Sequence, residues 1–538
     1  MDKKLTVADF FCGAGGFSEG FRQAGFEVVF ALDNWKPAVE THKLNHPECN
    51  TVQLDILKLD TPEKIEQTVP DVDIIIGSPP CVSFSGSNKA GKADKSLGIQ
   101  LIESYLRIIL WKKSKGGLKY WLMENVPNSS NYTKDMYTWK ELGLPGTGPD
   151  LEIKNRNVFN AANYGTPQTR SRFVCGDYPF PKETHEKKEW KTYREVFSTL
   201  GNPNTKNNSP IKDPNFNFTI ERKHLTDHYY DTTADEFEWK KAKRQKVDHG
   251  YCGKMDFPER LDRPSRTVMA TLSASTRESM LFKVDGKPNE TYRLPTIREI
   301  SSLMSFPINY QFEASNETSK YRLVGNAVCV KLSMGLAKAI AEKEGIATPK
   351  KFISLPNRTP TVNLNGSRRK PKPERTKPSD AKFETHIPYI KIKGMRVQLS
   401  NQESDFPKNK IKWTSKIHYG PAKSHSHQQI ENERIEKVFN THKNFPHFKS
   451  DIKKTFSSLP GRSEFQKLYT ERDKTGMSPE RALDTIKEKV DKHFPEEEFR
   501  DLSVTNSSTL LEDTDSDIPI RVLAAFFACN FLVSQMKQ

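Results

Sequence analysis

A proline-rich stretch at residues 77–85, with the sequence GSPPCVSFS, constrains this chain more than any other. The apolar residues 72–76 lead into it and predict a buried parallel strand. Gly77, Pro79 and Pro80 then end the strand and form a stiff loop that carries Cys81. Ligands and chemistry collect at the carboxyl ends of strands in α/β sheets. Cys81 is therefore either a nucleophile or a buried structural cysteine, the commoner role of a free thiol.

The composition favours a protein of several domains with a polyanionic partner. At 538 residues the chain is too long for one ordinary core. The net charge of +16 favours nucleic acid as the partner, although charge alone is not specific. The seven cysteines lack CxxC spacing and are odd in number, so neither a zinc site nor a disulfide framework is expected.

Two further features bear on the compartment. The N-terminus lacks an apolar signal core. The longest apolar stretch, residues 522–533, is too short to span a bilayer and reads as a buried helix. We therefore expect a cytoplasmic, nucleoid-associated protein with no membrane partner and no metal.

Residues 5–55 show the pattern of a nucleotide-binding α/β unit. A predicted strand at 5–11 is followed by a glycine-rich turn and a helix at 17–24. Glycines let a ligand approach the backbone, and the helix N-terminus offers free N–H groups. Two more predicted strands end in Asp33 and Asp55, which can accept hydrogen bonds from a ribose and an adenine amino group. The alternative is that both acids only cap helices.

A carboxylate and two arginines are predicted to lie near the thiol. The strand at 119–123 ends in Glu124, so Glu124 and Cys81 should share one rim of a parallel sheet. Beside a thiol nucleophile, Glu124 suits the role of an acid or base. Arg170 and Arg172 alternate along the start of a later strand and so point the same way. They are either surface charges or anchors for phosphates or a base carbonyl.

A set of ordered motifs across about the first 345 residues resembles the DNA (cytosine-5) methyltransferases of bacterial and phage modification systems. The matching blocks are DFFCGAGG at 9–16, PPC at 79–81 with Phe84 and Ser85, ENVP at 124–127, QTRSR at 168–172, RLPTIRE at 293–299, SFP at 305–307 and YRLVGNAV at 321–328. Their order makes the match specific. The chain departs from the family at Asp33, where glutamate is more usual, and at Pro295 and Thr296.

The resemblance implies a Rossmann-like α/β domain that uses S-adenosyl-L-methionine to methylate cytosine in double-stranded DNA. It implies Cys81 as the nucleophile, Glu124 as the acid and Arg172, supported by Arg170, as the cation near the base carbonyl. The cofactor pocket implied by the family consists of Phe10, Gly13, Ala14, Gly15, Gly16, Asp33, Asn34, Asp55, Ile56, Pro79, Asn326 and Val328.

The target carbon is shielded inside a duplex, so the base must be flipped out. We expect the Cys81 loop to close over the flipped base, with Ser83, Ser85 and Ser87 available for phosphate contacts.

Between about residues 176 and 293 the pattern changes to mixed lysines, asparagines, histidines and aromatics. In the family this variable segment reads the target sequence, and RPSRTV at 263–268 resembles its recurring end. The basic run at 239–246 can track phosphates or can simply be solvated. Candidate DNA contacts are Arg260, Arg263, Arg266 and Arg277, each of which can equally be a phosphate contact or a surface ion pair.

The predicted domains are a catalytic domain at 1–177, a target-recognition domain at 178–309, a return to the catalytic domain at 310–347, a basic proline-rich linker at 348–382 and a C-terminal α+β domain at 383–538. An apolar helix at 328–341 should pack back on the first sheet. The C-terminal domain, which the resemblance does not cover, should contain strands at 387–392 and 412–418 and helices at 429–439, 479–494 and 518–535. Its histidine-rich stretch at 417–427 hints at metal or nuclease chemistry but more simply forms a loop.

We therefore expect a monomeric, site-specific DNA methyltransferase of a restriction-modification system, with a cognate endonuclease acting separately. Three alternatives stay open. They are an RNA cytosine methyltransferase of the same fold, a binding protein on an inactive methyltransferase scaffold, and a bifunctional methylase with a nuclease-like or DNA-binding C-terminal domain.

Overall fold

The computed structural model describes residues 4–81, 84, 94–205, 209–248, 255–284, 286, 290–370, 376–419, 426–439, 442–472, 475–505, 510–512 and 516–537. The chain forms two compact units. The first unit comprises residues 1–234, 258–274 and 278–370, and the second comprises 235–257, 275–277 and 371–538. A short insertion from the middle of the chain thus folds with the C-terminal third.

A seven-stranded sheet with the order β3-β2-β1-β4-β5-β9-β8 forms the centre of the first unit. The strands are β1 (Thr6–Phe10), β2 (Glu27–Asp33), β3 (Asn50–Gln53), β4 (Ile74–Gly77), β5 (Tyr120–Asn125), β8 (Asn155–Asn160) and β9 (Ser171–Asp177), while β6 (Met136–Tyr137) and β7 (Leu151–Glu152) pair separately. The pairs among β1 to β5 are parallel, and β9 pairs antiparallel with β5 and β8. The strand order reverses between β1 and β4, where open α/β sheets bind ligands. The predicted Rossmann-like fold is confirmed.

Helices cover this sheet, and its central strands are accordingly apolar throughout. Ile74, Ile75 and Ile76 are all fully buried, as expected of a parallel strand between two helix layers. The helices up to residue 343 are α1 (Gly16–Gln23), α2 (Lys36–Asn45), α3 (Pro62–Thr68), α4 (Ser96–Lys115), α5 (Tyr193–Leu200), α6 (Glu236–Val247), α7 (Ile297–Leu303), α8 (Glu317–Asn326) and α9 (Val330–Lys343). Of these, α6 belongs to the second unit.

Helix α9 packs against α1, which agrees with the predicted return of the chain to the first sheet. Ser333 Oγ donates a 2.6 Å hydrogen bond to the carbonyl of Phe17. A Cβ at Gly20 would lie 2.3 Å from the Ser333 side chain, so only glycine permits this approach. By length and hydropathy alone the run Glu317–Lys343 could cross a membrane, but 72% of its apolar window is buried inside the protein, as in a core helix.

The segment between β9 and α7 contains short paired strands. They are the two-stranded pairs of β10 (Ile211–Lys212) with β11 (Thr219–Ile220) and of β12 (Phe282–Lys283) with β13 (Tyr292–Arg293). Arg298 on α7 is fully buried and donates to the carbonyls of Thr226 and Tyr310. This buried guanidinium joins the backbone at Thr226 to the backbone at Tyr310.

Much of the predicted linker is held against the first unit. The backbone N–H of Ile353 donates to Gln23 Oε1 at 3.0 Å, and the ring of Phe352 stacks on Phe218 at 4.0 Å. Leu364 is buried and its N–H donates to Asp227 at 2.9 Å. The abundance of proline and lysine suggested an extended chain, but the few apolar side chains anchor it. Residues 371–375 of this stretch lie outside the described residues.

The second unit contains a four-stranded antiparallel sheet with the order β14-β15-β16-β17. Its elements are β14 (Glu384–Ile392), β15 (Met395–Ser400), β16 (Thr414–Tyr419), β17 (Ser426–Gln428), α10 (Asn432–Phe439), α11 (Phe445–Thr455), α12 (Arg462–Thr470), α13 (Pro479–His493), α14 (Glu496–Phe499), β18 (Ser503–Val504), β19 (Ile518–Pro519) and α15 (Ile520–Gln535). Helices α13 and α15 contact the sheet, where Val397 and Ile417 are fully buried. The predicted strands and helices are present, and the additional elements are β15, β17, β18, β19, α11, α12 and α14.

Helix α6 is built into this second unit at the edge strand β14. Asp248, which follows α6, accepts a 3.0 Å hydrogen bond from the backbone N–H of Tyr389, and its Oδ2 lies 3.1 Å from His386 Nε2. Arg244 donates to the carbonyl of His386 at 2.6 Å. Edge strands present unpaired backbone groups that need partners. The insertion at 235–257 supplies such partners for the C-terminal sheet.

Candidate active site

The carboxyl ends of β4 and β5 bring the cysteine loop beside Glu124. The two strands are parallel neighbours with Gly77 opposite Met123, so the next residues, Ser78 and Glu124, face each other at the rim. Ser78 Oγ donates a 2.6 Å hydrogen bond to Glu124 Oε2. The side chain of Asn125 donates to the carbonyl of Pro79 at 3.1 Å. The loop that carries the thiol is thus tied at two points to the strand that carries the carboxylate.

Arg172 reaches the same carboxylate from β9. Because β9 runs antiparallel to β5, with Glu124 opposite Val174, the start of β9 lies at the carboxyl end of β5. Arg172 Nε lies 2.9 Å from Glu124 Oε1, and the side chains are 11% and 5% exposed. A buried ion pair needs additional hydrogen bonds to offset its desolvation. Ser78 supplies one to the carboxylate, and the carbonyl of Ser171 accepts one from Arg172.

Arg170 is buried and holds backbone segments together. Its guanidinium donates to the carbonyls of Val268 and Gly325 at 2.9 Å and of Ala327 at 3.3 Å. Burial, together with the nearby charge of Arg172, lowers the pKa of Arg170 to about 10, while Glu124 and Cys81 oppose that shift. Arg170 therefore lies within electrostatic range of Glu124 and Cys81, but its guanidinium donates hydrogen bonds to backbone carbonyls and so stabilises the fold.

Cys81 differs from the other described cysteines in its exposure. Of the six free cysteines that the structure describes, Cys81 is half-buried and the other five are buried. The carbonyl of Cys81 accepts a 2.9 Å hydrogen bond from the N–H of Phe84, whose side chain is 1% exposed. The Phe84 ring lies 5.1 Å from that of Tyr132, and Asn128 donates to the Phe84 carbonyl at 3.0 Å. Phe84 thus anchors the chain just after the thiol.

The predicted phosphate contacts of this loop are Ser83, Ser85 and Ser87. All three lie outside the described residues. Closure of the loop over a base stays a prediction.

The glycine-rich turn after β1 is closely packed from two sides. Gly13 and Gly15 have φ of +53° and +86°, in the left-handed region that favours glycine. A Cβ on Gly16 would lie 2.2 Å from the carbonyl oxygen of Val328, so the return segment touches the turn. Tyr310 Oη donates a 2.6 Å hydrogen bond to the carbonyl of Ala14. These contacts leave the turn backbone in one defined conformation.

The two acids at the strand ends are both engaged in local capping. Asp33 accepts from the N–H groups of Gly13 at 2.9 Å and Trp35 at 2.8 Å, and Asp55 accepts from Leu57 at 3.0 Å. Burial raises the pKa of Asp33, and its hydrogen bonds to Trp35 and Gly13 oppose the rise. The neighbouring Asn34 is exposed. In the fold, Asp33 and Asp55 thus accept hydrogen bonds from backbone N–H groups, as the capping interpretation predicts. Binding of a cofactor would be a second role for these acids.

The other predicted pocket residues divide by exposure. Phe10 and Ile56 are core side chains, with exposed fractions of 0% and 1%. Pro79 and Val328 are also buried, whereas Asn326 is exposed at the end of α8.

The four candidate arginines for DNA binding have different surroundings. Arg260 pairs with its neighbour Asp262 at 2.7 Å, and Arg263 is exposed. Arg266 contacts Glu259 at 3.1 Å and donates to the carbonyl of Glu278, so it stabilises the local fold. Arg277 belongs to the second unit. A DNA role is thus more compatible with Arg263 than with Arg266.

Sequence reasoning missed Ser78, Asn125 and Tyr310 as parts of the site. Ser78 and Asn125 stand beside Pro79 and Glu124, so their positions in the motifs could have indicated a supporting role. Tyr310 is distant in sequence from the turn that it contacts, and no local pattern could have paired them.

Comparisons with known proteins found similarity over the first part of the chain. The model of the family "C-5 cytosine-specific DNA methylase" matches residues 5–342. The type II methyltransferase M.MthTI of Methanothermobacter thermautotrophicus is 30% identical over 370 residues, which cover 64% of this chain and 99% of that protein. The type II methyltransferase M.NgoPII of Neisseria gonorrhoeae is 28% identical over 352 residues, covering 62% and 95%. Among solved structures, the Dnmt2 methyltransferase of S. pombe is 18% identical with a TM-score of 0.42, covering 64% of this chain and 100% of that one. The chain therefore belongs to the C-5 cytosine-specific DNA methylase family, and its enzyme class is that of a DNA (cytosine-5) methyltransferase.

Proposed function

We propose that the protein transfers a methyl group from S-adenosyl-L-methionine to carbon 5 of cytosine at specific sites in double-stranded DNA. The observation that carries this proposal is the joining of three groups at one rim of the sheet: the half-buried Cys81 on its loop, Glu124, and Arg172 at 2.9 Å from Glu124. A thiol, a carboxyl group and a cation are what the chemistry requires.

The chain's residues would divide the reaction as follows. The Cys81 thiolate adds to carbon 6 of the ring, and Glu124 donates a proton or hydrogen bond to ring nitrogen 3, which makes carbon 5 nucleophilic. Arg172 holds Glu124 and offers its charge to the base carbonyl. Carbon 5 would take the methyl group as the methyl–sulfur bond of the donor breaks and leaves a neutral thioether. A base would then remove the proton from carbon 5, which re-forms the double bond and expels the Cys81 thiolate.

The residues present fit S-adenosyl-L-methionine, which when bound would supply an electrophilic methyl group. The turn at 12–16 leaves β1 at the switch point of the sheet, where ligands bind. A Cβ on Gly16 would lie 2.2 Å from the carbonyl oxygen of Val328, so the return segment packs against the turn and fixes its backbone. We propose that Asn34, which follows β2, and Asp55, which follows β3, form hydrogen bonds to the nucleoside. Asp33 would act mainly by fixing Gly13.

Carbon 5 of a stacked, paired cytosine is out of reach of a side chain on a sheet rim. We therefore propose that the target base leaves the duplex before Cys81 attacks. The names of the type II relatives support a restriction-modification setting with a separate endonuclease. A monomer in the cytoplasm, bound to DNA, suffices for this reaction.

Covalent trapping on DNA tests the proposal. Fluorine at carbon 5 of cytosine blocks the final elimination, so the enzyme should stay attached to duplex DNA that carries 5-fluorocytosine in the presence of cofactor. Cys81→Ser should form no adduct, whereas Cys529→Ala, which changes a buried cysteine of α15, should form it like the wild type. Mapping the trapped base gives the recognition site. An adduct with RNA alone would replace DNA as the substrate, and no adduct despite cofactor binding would reject methyl transfer.

A further inference from the structure

We propose that the solvent-side face of the β14–β17 sheet is a second DNA-binding surface, which contacts the phosphate backbone of duplex DNA. We call this surface the basic face. It consists of the alternate residues that point away from α13 and α15. The inference rests on the proposed function for the identity of the nucleic acid, but its evidence lies wholly in the second unit.

The strand register builds the basic face as rows that cross the sheet. Val397 pairs with Ile417, and both are fully buried, so the residues before and after them point to the opposite face. One row on that face is Lys391, Arg396, His418 and His427, each opposite the next on the neighbouring strand. A second row is His386, Gln398 and Lys416. The first row spans three strand spacings, roughly 14 Å.

The chemistry of these rows suits phosphate oxygens. Lysine, arginine, glutamine and histidine all donate hydrogen bonds, and the arginine fork binds phosphate in two-point fashion. Lys391 and His427 are exposed at the two ends of the first row, Arg396 is partly exposed, and His418 is buried between Arg396 and His427, so the phosphate contacts of this row are assigned to Lys391, Arg396 and His427. The rings of His418 and His427 stack at 5.4 Å. Among the described residues, no group of three or more His, Cys, Asp or Glu forms a metal site, so these histidines are assigned to the basic face.

The charge of the C-terminal third is concentrated in the sheet region. Residues 381–419 contain eight lysines and arginines but three acidic residues. Residues 432–537, which form the helices, contain 17 basic and 18 acidic residues. One of the three acids, Glu403, binds Lys412 and Lys416 at 2.7 Å. Three of the eight, Lys391, Arg396 and Lys416, lie on the strands, and the others lie on the segments beside them. This positive sheet region beside nearly neutral helices is complementary to a polyanion.

Duplex DNA fits this surface better than single-stranded nucleic acid. Single-strand binders stack bases on aromatic side chains. The two rows of the basic face contain no phenylalanine, tyrosine or tryptophan. They can therefore contact the sugar-phosphate backbone of DNA but present no aromatic ring on which a base could stack.

Chain connectivity also favours DNA. Helix α6 leaves the segment proposed to read the target sequence and joins the second unit, where Asp248 binds His386 of the basic face. The chain that leaves the recognition segment is therefore part of the same unit as the basic face.

Salt-dependent binding of a duplex tests this inference. The variant Lys391→Gln/Arg396→Gln is compared with Lys453→Gln/Lys454→Gln, which removes the same charge from exposed positions on α11. Binding of a fluorescent 30-base-pair duplex is measured by anisotropy over a range of salt concentrations. Each lost phosphate contact should reduce the log–log slope by about 0.9, so the first variant should lose about two units of slope and about tenfold in affinity. The α11 variant should bind like the wild type.

Three outcomes would overturn the proposal. They are an unchanged slope for the first variant, an equal loss in both variants, and loss of binding to an RNA hairpin probe without loss for the duplex. Thermal melting of each variant checks that the second unit is still folded. Trapping on 5-fluorocytosine DNA, run on the same preparations at low salt, reports separately on the catalytic proposal. A wild type that binds the duplex through the basic face but forms no adduct would reject methyl transfer alone.

Discussion

Ser78 Oγ and Glu124 Oε2 are joined by a 2.6 Å hydrogen bond across the ends of β4 and β5. Arg172 occupies the other carboxylate oxygen, so the orientation of Glu124 is fixed from two sides. These two partners should therefore affect the proposed role of Glu124 as an acid, because a hydrogen bond to a charged group contributes about 1.5–3 kcal/mol.

We predict that Ser78→Ala lowers kcat about tenfold or more, while KM for the cofactor changes little. The carboxylate of Glu124 loses one of its two fixed partners and samples unproductive orientations. Steady-state methylation of plasmid DNA with labelled cofactor measures both constants. Ser78→Thr, which keeps a hydroxyl group, should recover part of the rate. Equal activity of Ser78→Ala and the wild type would show that the hydrogen bond is only structural.

Replacement of the carboxyl group itself should have a larger effect. Glu124→Gln keeps the shape and the contact with Ser78 but cannot donate an acidic proton, so single-turnover methyl transfer should fall about 10²- to 10⁴-fold. Glutamate 141, an exposed acid, provides the control Glu141→Gln, which should behave like the wild type. If the rate of Glu124→Gln were within about threefold of the wild-type rate, Glu124 would have no part in the proposed chemistry.

The parallel sheet and the position of the cysteine loop and Glu124 at one rim were predictable from sequence. Apolar runs of strand length, each followed by a helix pattern, specify a parallel sheet, and strand ends in such a sheet share one rim. Cys81 and Glu124 needed only this rule, since Cys81 lies on the loop after β4 and Glu124 lies near the end of β5. The resemblance added the roles of Arg170 and Arg172, and the structure separates them: Arg172 binds Glu124, whereas Arg170 binds backbone carbonyls.

Interactions between distant segments were not predictable. The packing of Phe352 on Phe218 and the docking of α6 on β14 depend on tertiary contacts that no local periodicity encodes. The high content of proline and lysine at 348–382 predicted a linker. The few apolar side chains that anchor this stretch are too sparse to form a recognisable sequence pattern. For the same reason the basic run at 239–246 looked like a solvated or phosphate-tracking face, although Trp239 and Lys246 on that helix are buried.

Two glycines of the cofactor turn should respond differently to a methyl group. A Cβ at Gly16 would meet the Val328 carbonyl oxygen at 2.2 Å, and backbone cannot move aside cheaply, so Gly16→Ala should cost about 1–3 kcal/mol and weaken cofactor binding. At Gly13 the nearest atom is 3.9 Å away, and only the strain of φ +53° remains, about 1 kcal/mol. Thermal melting and cofactor titration of both variants compare the two costs. A larger loss for Gly13→Ala would contradict the packing argument.

The hydroxyl of Tyr310 should position the cofactor turn. Tyr310→Phe leaves the carbonyl of Ala14 without the 2.6 Å bond that it now accepts, so we expect KM for the cofactor to rise by about three- to tenfold with a small change in kcat. Tyr321→Phe, on a buried tyrosine of α8, is the matched control and should leave KM unchanged. Equal changes in KM and stability for both variants would indicate a general packing effect.

Stability should fall in acid because of a buried histidine. Burial lowers the pKa of His42 to about 3, from 6.5 in the unfolded chain, and the neutral ring bonds Ser18 and Thr51. Because the folded pKa is depressed, this contribution to stability is complete above about pH 6.5 and is lost progressively as the pH falls towards 3. His42→Gln cannot take up a proton, so its melting temperature should be lower than that of the wild type at pH 7.5, and the difference should shrink between pH 6.5 and 5. His224→Gln, at an exposed position, should follow the wild type throughout. If the melting temperatures of His42→Gln and the wild type changed equally with pH over this range, His42 would not be the cause of the acid sensitivity.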